Sequence, residues 1–212
     1  TIIIQTVAVG GNDHSVMRIV EGEDADLAWE VDLGATEIVK ASPVVVDLDD
    51  DGSQEVIVVY DAGGTMYVDA YSPQLQCSVT GWSSGGSKSG ELLWTYSDDS
   101  LRISSSEGPY TSSLFGGHNP TTQPLLADLD LDGDAALVLA AIDEISENPV
   151  VVALPLAANG APTPIWESTL QDGSHPSDPA FAQVDDETGY VLLTTTQASS
   201  GAMWVWKLDS ET

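Results

Sequence analysis

Residues 43–60 read PVVVDLDDDGSQEVIVVY: a β-branched run, a tight acidic loop and a second β-branched run. Asp47, Asp49 and Asp51 alternate along the loop, followed by Gly52 and then Glu55. Oxygens at the first, third and fifth positions, a glycine at the sixth and an acid at the ninth can wrap one hard cation. Calcium accepts about six to eight oxygens at about 2.3–2.6 Å in irregular geometry, which suits such a loop better than the octahedral demand of magnesium. Gly52 allows the sharp backbone turn that a side chain would obstruct. The carbonyl of Ser53, at the seventh position, is a further candidate ligand. An EF-hand begins the same way, but it needs a bidentate Glu at its twelfth position and a helix on either side. Val58 stands at that position, and the flanks are Val44-Val45-Val46 and Val56-Ile57-Val58-Val59. Such runs favour strands. The loop is therefore expected to be a calcium-binding turn between two strands. The alternative is an acidic hairpin without metal, in which three crowded aspartates repel one another.

The pattern returns at residues 124–142, PLLADLDLDGDAALVLAAI. Asp128, Asp130, Asp132 and Gly133 fill the first, third, fifth and sixth positions, and Asp134 the carbonyl position. A proline precedes the first aspartate by four residues in both copies (Pro43 and Pro124). Ala136 replaces the acid at the ninth position, so weaker binding, or a water in that place, is expected. A degenerate third copy, FAQVDDETGYVLLT, places Asp185, Asp186 and Glu187 before Gly189 with too short a spacing to expect a metal.

The remaining segments fit short strands, with no convincing helix. Residues 1–10, 15–20 and 27–33 form a first group. Residues 43–47, 55–60, 64–71 and 91–96 form a second, and 125–128, 137–142, 150–154 and 164–168 a third. Residues 180–184, 190–195 and 203–208 complete a fourth. This is an internal repeat of about 50 residues plus insertions, a period that points to propellers or arrays. The acidic turn joins the first two strands of a unit, and a Trp (Trp29, Trp94, Trp166) marks the last strand of the first three groups. Strands such as 56–59 and 137–141 are apolar at every position, as expected where sheets stack and bury both sides of an inner strand. The Trp side chains are expected to pack between sheets rather than against a sugar. The fold class expected is all-β: a β-propeller of four-stranded antiparallel blades, spanning 1–36 (partial), 37–98, 118–170 and 175–212 (partial). The count of three, four, four and three strands leads us to expect an arc of a larger propeller, or copies packed blade to blade, because an open arc would expose apolar faces.

These segments resemble the FG-GAP or VCBS type of repeat, found in the propeller of integrin alpha chains and in many secreted microbial proteins. The resemblance covers most of residues 43–208. It implies calcium held by Asp47, Asp49, Asp51, the Ser53 carbonyl and Glu55, and by Asp128, Asp130, Asp132 and the Asp134 carbonyl, with a gap at Ala136. GTMYVDAY and GELLW are also similar to the PQQ-type propeller repeat. Such folds host adhesins, receptors, lyases and dehydrogenases, so the fold does not select a function.

Bulk composition bounds the reading further. The 212 residues carry 34 acids against 5 bases, a formal net charge of −29. Such a surface repels nucleic acid and anionic lipid and fits a salt-adapted or marine source, or solubility alone. Cys77 is the single cysteine, which excludes an internal disulfide and a cysteine-built zinc site. No run approaches the ~18 apolar residues of a membrane span. His118 and His175 each lie ten residues before the first Asp of a turn, and their equivalence suggests a structural role. Neither they nor His14 has a partner that sequence context singles out. Ser83 and Ser104 lie outside any nucleophile elbow.

The expected function is an extracellular or cell-surface calcium-stabilised module for binding, adhesion or structure. Its protein or glycan partner, or a further copy of the chain, would be met through the polar segments 74–89 and 97–122. The alternative is part of a propeller enzyme, a polysaccharide lyase or a quinoprotein dehydrogenase. A lyase needs bases to neutralise a uronate, which five bases poorly supply. A quinoprotein needs a complete ring around its cofactor. The chain is accordingly expected to show no turnover in a broad screen with glycans and quinone dyes. Activity abolished by replacing His118 or His175 would contradict this.

Overall fold

The computed structural model describes residues 2–9, 12–21, 26–34, 38–39, 41–49, 51–62, 65–73, 77–78, 81–82, 91–103, 123–129, 131–156, 160–170, 175–185, 188–196 and 201–209. Among them the regular structure is strand, and no helix is long and apolar enough to cross a membrane. The first sheet is a meander of β1 (Ile2–Val9), β2 (Asn12–Glu21) and β3 (Asp26–Gly34). The second takes β4 (Ile38–Val39), β5 (Val44–Val46), β6 (Glu55–Ala62), β7 (Thr65–Ser72) and β10 (Glu91–Asp98). Between its last two strands lies a small hairpin of β8 (Cys77–Ser78) and β9 (Gly81–Trp82). The third sheet takes β11 (Leu101–Arg102), β12 (Leu125–Ala127), β13 (Ala136–Asp143), β14 (Pro149–Pro155) and β15 (Trp166–Thr169). The fourth takes β16 (His175–Pro176), β17 (Ala180–Asp185), β18 (Thr188–Thr196) and β19 (Gly201–Asp209).

All pairings are antiparallel, and the last three sheets share one plan. The edge strand is broken into two short pieces that pair with the same side of the next strand. In the second sheet β4 pairs with residues 60–61 of β6 and β5 with residues 55–57. In the third, β11 and β12 divide β13 in the same way, and in the fourth β16 and β17 divide β18. With each broken edge counted once, the sheets have three, four, four and three strands. Strands β5, β12 and β17 coincide with apolar segments expected as strands, whereas their companions β4, β11 and β16 fall outside the expected strands. A two-residue strand has no period of its own and is defined by its partner alone. The polar segment 74–89 holds the β8–β9 hairpin, and residues 97–98 extend β10; residues 104–122, with His118, lie outside the described residues. Among the described strands β1 pairs with β2 alone and β19 with β18 alone.

Consecutive sheets meet face to face through apolar layers. Met17, Ile19 and Trp29 of the first sheet pack with Val56, Val58, Tyr60 and Tyr71 of the second. Ile57, Val59, Met66, Val68 and Trp94 of the second pack with Leu137, Leu139, Val150 and Val152 of the third. Val138, Ala140, Val151 and Ala153 of the third pack with Val191 and Leu193 of the fourth. Strands β6 and β13 thus send alternate side chains into two different layers, which is why they carry no polar face. Each Val, Leu or Ile among them contributes about 1.5–3 kcal/mol of transfer free energy when fully buried.

The three Trp residues expected between sheets lie there. Trp29, Trp94 and Trp166, each on the last strand of its sheet, enter the layer shared with the following sheet. Trp166 meets Trp206 of the fourth sheet edge to face, with ring centroids 5.3 Å apart. On β10, Trp94 is 4% exposed and Leu92 49%. Trp94→Ala should therefore cost about 3–5 kcal/mol, against about 0.5 kcal/mol or less for Leu92→Ala. Denaturant midpoints of the two variants measure this, and equal losses would contradict the layered packing.

Candidate metal centre

The loop between β5 and β6 is closed by its own carboxylates. Asp47 accepts the backbone N–H of Asp51 at 3.2 Å and of Gly52 at 2.9 Å. Asp49 accepts the Asp51 N–H at 3.3 Å, and Asp51 accepts the Ser53 N–H at 2.6 Å. The loop between β12 and β13 repeats this scaffold. Asp128 accepts the N–H of Asp132 at 3.1 Å and of Gly133 at 2.9 Å, and Asp132 accepts that of Asp134 at 2.8 Å. The sixth-position glycines have φ of +86° (Gly52) and +103° (Gly133), and a Cβ added at either meets nothing within 4 Å. Backbone conformation, not crowding, is what calls for glycine there. The second-position leucines sink into the layers: Leu129 is buried between the third and fourth sheets, and Leu48 packs partly buried between the second and third. Each loop is thereby fastened to the layer its sheet shares with the next.

The two loops differ at the ninth position. Glu55 begins β6, is 3% exposed, and accepts the Leu48 N–H through Oε2 at 2.9 Å. Ala136 begins β13 and lies in an apolar layer. Carboxylate oxygens of Asp47, Asp49 and Glu55 lie within 4.8 Å of one another. Two ligands on opposite sides of a calcium ion at about 2.4 Å stand about 4.8 Å apart, so one ion can touch all three. A carboxylate that accepts an N–H keeps lone pairs for a cation.

Of the residues singled out in the sequence, Asp47, Asp49 and Glu55 are brought together. Asp51 turns its Oδ1 to the Ser53 N–H, a bond that holds its carboxyl below the usual aspartate range. Ser53 sits beside the group in the chain. In the second loop Asp128, Asp132 and Asp134 are placed by the same scaffold, while Asp130 lies outside the described residues. In the third copy Asp185 pairs with Thr188 next to a bulge after Gln183, while Asp186 and Glu187 lie outside the described residues. His175 belongs to β16, and His14 Nδ1 contacts Asp32 at 2.8 Å on the neighbouring strand. Compared with known families, curated proteins and solved structures, the chain matches none.

The electrostatics of the group suit a cation. Burial raises the Glu55 carboxyl above its usual 4.5, and the charges of Asp49, Asp51 and Asp47 raise it further, against the Leu48 N–H that lowers it. A carboxyl raised in the folded state destabilises the metal-free protein while it is ionised. As pH falls through the raised value, the folded state takes up the proton first, and the penalty is gone below about 4.5. Metal-free protein should therefore gain stability from Glu55 as pH falls through that window. Glu55→Gln should remove this gain and raise the metal-free melting temperature at neutral pH. Thermal melts in chelator across the pH range are the measurement; an unchanged pH profile in Glu55→Gln would contradict the assignment.

Proposed function

We propose that the protein is a calcium-stabilised β-propeller-type module, extracellular or at a cell surface, that serves binding, adhesion or structure rather than catalysis. The observation that carries the reading is the burial of Glu55 against Asp47 and Asp49. A nearly fully buried carboxylate set among like charges lacks a countercharge that a divalent cation supplies. The group is made of acidic oxygens alone, which suits a hard cation. The propeller reading is supported by four consecutive antiparallel sheets, joined pairwise through apolar layers, and by the equivalent seats of Leu48 and Leu129.

Calcium at the Asp47 loop ties the β5–β6 turn to the layer below it through Leu48, and at the Asp128 loop it ties the β12–β13 turn through Leu129. Affinity in the range of extracellular modules, about 10⁻⁴–10⁻³ M, fits exposed loops of this kind. Partners meet the polar segments 74–89 and 97–122; the acidity directs the module away from nucleic acid.

Calorimetric titration of calcium into the whole chain tests this. Binding at the Asp47 loop should be the tighter and should disappear in Glu55→Gln, while Asp128→Asn should weaken a second, looser event. At ten times the dissociation constant, calcium should add about 1.4 kcal/mol of stability. No heat and no change in melting temperature between calcium and chelator would overturn the proposal.

A further inference from the structure

Asp69 is the second buried charged residue among the described ones, 3% exposed, and it takes no part in the acidic loops. It stands in the middle of β7, between Tyr67 and Tyr71 on the face turned toward the first sheet, and its cross-strand neighbours are Val58 and Thr95. Its Oδ2 accepts two phenol hydroxyls, Tyr60 Oη and Tyr71 Oη, each at 2.9 Å. Its Oδ1 is buried with no hydrogen-bond partner. In the same layer, on the opposing sheet, Trp29 is 1% exposed and its Nε1–H is also buried with no partner. Tyr71 links the two, through its hydroxyl to Asp69 and its ring to Trp29, with ring centroids 5.9 Å apart.

One orphaned acceptor and one orphaned donor thus face the same layer from opposite sheets. Leaving either unpaired costs about 1–3 kcal/mol. A water molecule resolves both at once, because it accepts and donates and because buried waters sit where about two to four polar atoms converge. We propose that the layer between the first and second sheets binds one ordered water, which accepts from Trp29 Nε1 and donates to Asp69 Oδ1.

The site gives this layer an address. Asp69 lies opposite Val58 on β6, and in the third sheet Val152 lies opposite Leu139 on β13. Val58 and Leu139 each follow the ninth loop position by three residues, so Val152 is the counterpart of Asp69. The face of the third sheet that bears Val152 is apolar, whereas the matching face of the second sheet carries a carboxylate oxygen, Asp69 Oδ1, that its own sheet leaves unpaired. A wrong sheet docked there strands the carboxylate, which is how a buried polar group selects its partner.

A crystal structure that resolves waters tests the site directly. A solvent peak within about 3.2 Å of both Trp29 Nε1 and Asp69 Oδ1 is expected. A direct Nε1–Oδ1 hydrogen bond, or no peak between them, would overturn the proposal. In solution the Trp29 indole resonance, assigned by its loss in Trp29→Phe, should show a cross-relaxation peak to a long-lived water; a protected indole without that peak also overturns it. The melting-temperature losses of Trp29→Phe and Asp69→Asn should be less than additive in the double variant, and full additivity counts against the bridge. Should either variant fail to fold, diffraction and water contacts of the unaltered protein still decide.

Discussion

The structure depends on the burial of inner strands from both sides. Strand β6 sends Val56, Val58 and Tyr60 toward the first sheet and Ile57 and Val59 toward the third. Strand β13 sends Leu137, Leu139 and Ala141 back toward the second and Ala136, Val138 and Ala140 on toward the fourth. Neither strand has a face to offer water, so neither sheet has an independent core. Each is stable to the extent that its neighbours are in place, as in stacked architectures where stability sums over adjacent units. The apolar layers also explain how a chain of net charge −29 folds: among the described residues the layers exclude charge with two exceptions, Glu55 and Asp69.

Those exceptions are opposite solutions to one problem. Burying a carboxylate is unfavourable unless something compensates it. Asp69 is compensated at Oδ2 from within its own sheet, by the hydroxyls of Tyr60 and Tyr71, while its Oδ1 is left without a protein partner. Glu55 has one backbone donor, and the nearby charges of Asp47, Asp49 and Asp51 worsen its position. The proposed cation reverses that balance, turning four mutually repelling acids into a stabilising cluster at the start of an inner strand. In the second loop Ala136 avoids the problem by joining the apolar layer, leaving the same backbone scaffold with a smaller demand for metal.

Much of this was legible in the sequence, for local reasons. The acidic turns are contiguous, and their glycines need positive φ whatever the rest of the chain does, so Asp47–Gly52 and Asp128–Gly133 could be read directly. The apolar runs of β6, β13 and β14 announced strands buried on both faces. The Trp on the last strand of the first three sheets pointed to the layers because a large ring so placed finds its cover on the next sheet. The broken edges were not legible: Ile38–Val39, Leu101–Arg102 and His175–Pro176 are strands only because β6, β13 and β18 present unpaired backbone beside them. Asp69 was missed as well. An Asp in TMYVDAYS signals a conflict with its apolar neighbours, but sequence does not reveal that the hydroxyls of Tyr60 and Tyr71 both reach it.

The sequence by itself determined the all-β character, the two loop scaffolds and the candidate ligands, since each follows from residues within a few positions of one another. Tertiary structure alone decided the order in which sheets face each other, the burial of Glu55 against Asp47 and Asp49, and the orphaned pair at Asp69 and Trp29. Those properties depend on what lies across a layer, and no local pattern specifies the far side. Desolvation turns an ordinary glutamate into the key residue of the loop, and it arises only when β6 is covered on both faces.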